Sequence, residues 1–193
     1  MLVGARTTYT DIGVATRNFT VGARLQPGTL PALFGIPAHE LTNRSVSIAD
    51  VLGSPPAALH NALAAQAPHA AIRAIEAFLT DRLRASRPID ARLTTLVNAA
   101  NNEGLTVRHA AESLHLSGRT VRYWSQQHVG MGMKRLWRIR RLHRALWQNV
   151  QQPMVGWARI AADAGYTDQS HLIRDCKALL GESPKAFSAR AHG

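Results

Sequence analysis

Asp168, Ser170 and His171 stand at neighbouring positions, with Arg174 and Cys176 just beyond them, and side chains of these types can do chemistry in two ways. The first is nucleophilic catalysis, with serine or cysteine as nucleophile and histidine and aspartate as base and orienting acid. That use fails on geometry, because neighbouring positions on one helix point in different directions and cannot form a relay. Cys176 falls at an apolar helical position and reads as a small core residue rather than a nucleophile. The nine histidines include no close pair at metal-ligand spacing backed by cysteines, so neither metal nor cofactor is called for, and an enzyme is the weaker class. The second use is recognition. Gln169, Ser170, His171 and Arg174 can donate to and accept from base edges and phosphates, which is what a helix lying in a major groove needs.

The elements that must position these residues are legible around them. Residues 160–177 read IAADAGYTDQSHLIRDCK. Ile160, Ala161 and Ala164 repeat at helical spacing before Gly165, and Leu172, Ile173 and Cys176 repeat after it, which predicts two short amphipathic helices bent around the glycine. Gly165 suits the left-handed conformation in which helices often end, and Thr167 or Asp168 can cap the next helix. The stretch is a helix-turn-helix pattern, and a second copy precedes it. Thr106 caps a short helix carrying Val107, Ala110, Ala111 and Leu114. Ser117 then caps one running to about His128, closed by Gly130. Arg119, Thr120, Arg122 and Tyr123 occupy the same early positions in that helix as the polar set does in the later one.

Residues 133–150 join the two copies. Leu136, Ile139, Leu142, Leu146 and Trp147 recur at helical spacing, with Lys134, Arg135, Arg138, Arg140, Arg141 and Arg144 between them. About 18 helical residues span roughly 27 Å, and the width of the flanking helices brings the two reading helices to about one duplex turn, roughly 34 Å. Arg138, Arg140, Arg141 and Arg144 read as a basic face, about half of it touching phosphate or solvent rather than bases. Trp137, Trp147 and Trp157 lie in apolar periodic runs and are expected in the core.

Charge agrees with this placement. The 193 residues carry 23 Lys and Arg against 12 Asp and Glu, a formal charge of +11. The excess is +3 in residues 1–100 and +8 in residues 101–193. Such a balance points to a polyanion, nucleic acid before an anionic membrane. One cysteine forbids an internal disulfide, the first residues lack the features of a secretory signal, and no stretch has the length of a membrane span. A cytoplasmic protein without membrane contact is expected.

The first half is less informative. Residues 6–10 and 19–25 favour β-structure and look like the strands of a hairpin, the end of a larger β domain. Short helices are predicted over 47–52 and 57–65. Pro68 opens a longer helix with Ile72, Ile75, Phe78, Leu79 and Leu83 on one face, able to pack on the β part or to pair with a second copy. Residues 84–88 read as a linker, and residues 89–102 as a helix that begins the second domain. Residues 181–190 form a last helix with Ser183-Pro184 at its start and Phe187 as anchor. The fold class is mainly α. Two helix-turn-helix subdomains (about 106–130 and 155–180) are joined by a long helix (about 133–150) within residues 87–193, preceded by a small partial β/α region over residues 1–86.

Residues 90–193 resemble the AraC/XylS family of bacterial transcription regulators. The resemblance is carried by Ala110-Ala111, Ser117-Gly118-Arg119-Thr120, Val129-Gly130, Arg141-Leu142, Ala145-Leu146, Ile160-Ala161, the run from Gly165 to Asp175, and Gly181-Glu182-Ser183-Pro184. It implies a sequence-specific regulator that inserts two recognition helices into successive major grooves of double-stranded DNA, often as a homodimer. RNA polymerase and a small-molecule effector are further partners that it leaves open. Carried over by motif position, DNA contact falls to Arg119, Thr120, Arg122 and Tyr123 in the first unit and to Gln169, Ser170, His171 and Arg174 in the second. The chain departs from the family at Ser125 and Cys176, where Phe is usual, and at Tyr123, where a basic residue is common. Loss of a core Phe costs about 3 kcal/mol unless something fills the space, and Trp124 is placed to do so. Residues 1–86 resemble the tail of the cupin-like sensor domain of such regulators. That leaves an alternative, a truncated interaction protein that modulates a full-length regulator by pairing through this region.

Overall fold

A computed structural model of the protein describes residues 1–9, 20–54, 57–65, 67–101 and 105–192. Eleven helices and one two-stranded sheet follow in order among the described residues. The N-terminal part holds β1 (Leu2–Val3), α1 (Thr29–Phe34), a 3-10 turn (Ala38–Leu41), β2 (Ser45–Val46), α2 (Ile48–Leu52), α3 (Ala57–Ala64) and α4 (Pro68–Ala85). The C-terminal part holds α5 (Ala91–Asn98), α6 (Val107–Ser113), α7 (Gly118–Trp124), α8 (Met133–Gln151), α9 (Trp157–Asp163), α10 (Gln169–Leu180) and α11 (Pro184–His192).

Two apolar cores sit on one long helix. The first gathers Leu93, Leu96 and Val97 of α5, Ala110 and Ala111 of α6, and Val121 and Trp124 of α7 around Met133. The second gathers Leu142, Ala145 and Leu146 of α8, Ile160 and Ala161 of α9, and Leu172, Cys176 and Leu179 of α10. Ile139, halfway along α8, packs against both. The 19 residues of α8 therefore act as a beam about 28 Å long on which both helix-turn-helix units are seated. The beam also satisfies the end of α5. Trp137 Nε1, Arg140 Nη1 and Arg144 Nη2 each donate at 3.1 Å to the carbonyls of Leu96, Val97 and Ala100, the last of them just past the end of α5.

Caps fall where side-chain chemistry puts them. Thr106 accepts from His109 N–H, Ser117 from Thr120 N–H and Asp168 from His171 N–H, each satisfying an amide that the helix leaves open. The helix predicted to run from Ser117 to His128 does so in two pieces. After Trp124 the chain widens into a π turn (Ser125–Val129), and Gly130 N–H reaches back to Ser125 O at 2.8 Å. Ser125 is buried and donates its hydroxyl to Val121 O at 2.7 Å, while Trp124 points into the core. The large ring in this part of the first core is thus supplied by Trp124. Cys176 is fully buried, as its apolar spacing implies.

Two expectations are corrected, and a third is filled in. The strands are Leu2–Val3 and Ser45–Val46, paired antiparallel, and not a hairpin of residues 6–10 with 19–25. Residues 6–9 and 20–25 form no strand, and residues 10 and 19 lie outside the described residues. The local β-propensity is overridden because Asn43 N–H bonds Ala5 O and Gly4 N–H bonds Arg44 O, drawing β1 to a partner far along the chain. β1 and β2 are the only strands among the described residues of this region. Trp147 is not core: it is 59% exposed on the outer face of α8, whereas Trp137 and Trp157 pack against the two cores. In α4, Ile75, Phe78 and Leu79 are half-buried, but Ile72 and Leu83 of the same stripe are exposed.

The N-terminal part docks on the first unit. Its 3-10 turn packs on the π turn, Thr42 Oγ1 donates to Gly130 O at 2.5 Å, and Gly28 N–H donates to His128 O at 2.8 Å. Gly130 sits at φ +79°, and a Cβ there would come within 2.8 Å of Ala38 O, so both backbone conformation and close approach require glycine.

Candidate nucleic-acid interface

Both reading helices bury one face and present the other. In α7, Val121 and Trp124 enter the core while Arg119, Arg122 and Tyr123 are exposed. Arg119 and Arg122 make no hydrogen bond or ion pair with the described residues, so their guanidinium donors are available. Thr120 is half-buried, and its hydroxyl shares a 2.9 Å hydrogen bond with the Ser117 hydroxyl, which holds it at the helix start. Tyr123 lies edge-on to His128 with ring centroids 6.4 Å apart.

In α10 the buried row is Leu172, Cys176 and Leu179, and the opposite side carries Gln169, Ser170 and Arg174, all exposed and without partners among the described residues. His171 is half-buried and stands edge-on to the Tyr166 ring at 5.2 Å. Packing fixes its imidazole and leaves it less free than its three neighbours. The helix is thus started by Asp168, anchored by its apolar face, and stripped of internal partners along its outer one.

A groove of about 970 Å³ runs between the two units. His171 and Arg174 line one wall, Arg108 lines another, and Lys134 and Arg138 of α8 contribute to its lining. Arg108 is tied at 2.8 Å to Glu112 in a solvent-exposed pair, which adds little to stability and leaves the guanidinium exchangeable. The groove is therefore a concave basic surface continuous with the exposed side of α10.

Sequence spacing marked the α8 arginines as a basic face, but most of them work inside the protein. Arg138 donates through Nε at 3.2 Å and Nη2 at 2.7 Å to Asp175 Oδ1. Arg141 lies 3.7 Å from Asp175 Oδ2, donates to Gly165 O at 3.3 Å, and stacks 4.4 Å above the Tyr166 ring. Arg140 and Arg144 hold the end of α5. Asp175 is only 2% exposed, and its hydrogen bond raises the Arg138 guanidinium above its ordinary value. Burial, with the Asp175 charge beside it, pushes the Tyr166 phenol and the Cys176 thiol up, the latter to about 12. The buried carboxylate was the functional feature that sequence reasoning missed. Its signal was an acid at 175, three residues past core Leu172, facing a helix with arginines three apart at 138 and 141.

Among the described residues no group of histidine, cysteine, aspartate or glutamate could hold a metal, and no helix is long and apolar enough to cross a membrane. Residues 110–190 match the family described as "Helix-turn-helix domain", and residues 1–47 match "Domain of unknown function (DUF6597)". No curated protein and no solved structure matches the chain.

Proposed function

Residues 110–190 are an AraC-type helix-turn-helix domain, which implies DNA-binding transcription regulation, and from this premise we propose that the chain is a sequence-specific reader whose α7 and α10 enter successive major grooves. Regulators of this kind are normally not enzymes. The reading rests above all on the two capped helices that share the α8 beam and turn unpartnered donors outwards. Arg119 and Arg122 on α7 and Gln169 and Arg174 on α10 read base edges. Arginine suits guanine O6 and N7, glutamine suits adenine N6 and N7, and each good pair discriminates by about 1 to 3 kcal/mol. Ser170, Thr120, Tyr123 and His171 flank these contacts. Lys134 and Arg108 in the intervening groove meet phosphate, which sets register without reading sequence.

Selection of bound sites from random DNA tests this directly. The expected site is bipartite, with two segments about one helical turn apart. Arg174→Ala is expected to relax preference in one segment and Arg119→Ala in the other, each with a loss of about ten-fold at the preferred base. Uniform weakening on every sequence by Arg174→Ala, with site preference intact, would refute the assigned role.

A further inference from the structure

A second groove, of about 740 Å³, shares no lining residue with the first and lies between α1 and α4 with α3 at its end. Five alanines line it, Ala32 on α1, Ala58 on α3, and Ala74, Ala77 and Ala85 on α4. Small side chains along three helices leave room that a tightly packed junction would have filled. Phe34 and Phe78 add two ring faces, tilted at 42° with centroids 6.3 Å apart.

One cation is set into this apolar surface. The Arg82 guanidinium lies 5.1 Å from the Phe34 centroid and 5.7 Å from that of Phe78, and its Nε donates to Leu33 O at 2.6 Å. That bond and the two rings fix the plane of the fork. The Nη pair has no acceptor among the described residues, and no carboxylate of those residues pairs with it. The nearest acid in the lining, Asp81, is exposed and lies 3.4 Å from Arg84 instead. A half-buried guanidinium held rigid, with its end-on nitrogens open beside aromatic faces, matches a planar carboxylate joined to an apolar body. A phosphate dianion would leave a charge uncompensated, because among the described residues the lining of the groove holds a single cation.

We propose that the α1–α4 groove binds a small monocarboxylate with an aromatic or alkyl body, its carboxylate on the Nη pair of Arg82 and its body on Phe34, Phe78 and the alanines. The place bears on the first reading helix. Gly28, the residue that starts α1, is bonded to His128 O in the π turn that ends the first reading helix.

Titration calorimetry of the full chain with phenylpropionate tests the proposal, with phenylpropanol as the uncharged comparator. Saturable binding is expected with a Kd of about 1 mM or tighter. The alcohol and the Arg82→Gln variant should each bind about ten-fold more weakly or worse, since a charge-assisted pair is lost. Ala77→Leu, which adds bulk to the groove wall on α4 and keeps Arg82, should abolish binding. No saturation, equal binding of the alcohol, or binding unchanged in Ala77→Leu would each overturn the assignment. If Arg82→Gln does not fold, the alcohol and Ala77→Leu decide.

Discussion

Replacing Asp175 by Asn is the sharpest probe of how the second reading helix is held. The carboxylate is 2% exposed and takes two hydrogen bonds from Arg138, at 2.7 and 3.2 Å, with Arg141 3.7 Å from its other oxygen. Hydrogen bonds to a charged group contribute about 1.5 to 3 kcal/mol each. The Arg138 side chain is 39% exposed, however, so water screens its share and the lower end applies. Asparagine keeps one acceptor for Arg138 but turns an amide towards Arg141. The expected loss is about 2 kcal/mol for Asp175→Asn, and about 3 kcal/mol for Asp175→Ala, which leaves both cations without their carboxylate. For urea unfolding with a slope of about 2 kcal/mol/M, Asp175→Asn should lower the midpoint by about 1 M with the slope unchanged. The double variant with Arg138→Ala should fall short of the sum of the single losses by about 1 kcal/mol. A midpoint within about 0.2 M of the parent, or strict additivity with Arg138→Ala, would refute the reasoning.

Three further outcomes are expected. Gly130→Ala combines a left-handed backbone with contact against Ala38 O, and should cost about 2 kcal/mol or more in urea unfolding; a smaller loss would mean that the N-terminal part does not press on the π turn. The Cys176 thiol, buried and pushed up to about 12, should react with iodoacetamide at about pH 8 at least about a hundred-fold more slowly in the folded chain than in urea; comparable rates would contradict its burial. Burial holds the His128 imidazole below its ordinary 6.5. The unfolded chain therefore takes up the proton first, so the stability His128 contributes is full above about pH 6.5 and is lost as the pH falls towards the folded value. Urea midpoints at about pH 7.5 and about pH 5.5 should differ less in His128→Gln than in the parent, and an equal difference would place the pH dependence elsewhere.

What the sequence determined by itself is local. Thr106, Ser117 and Asp168 cap helices because each side-chain oxygen reaches the amide three residues on. Gly165 and Gly130 end them in the left-handed region for want of a Cβ. Caps, glycine stops and periodicity together located the two reading helices, the long helix between them and the exposed residues Arg119, Arg122, Gln169 and Arg174. Tertiary structure decided whatever depends on a distant partner. The two N-terminal runs of β-formers read as a hairpin, yet β1 pairs with β2 across more than forty residues because Ala5 and Arg44 complete the ladder. Trp147 obeys the same spacing as Leu146 but faces solvent, since the stripe on α8 was wider than the core that covers it. The arginines of α8 looked like a surface for an external anion. Folding brings Asp175 of α10 and the carbonyls at the end of α5 against them, and a charge finds the nearest partner that burial offers before it meets one from outside.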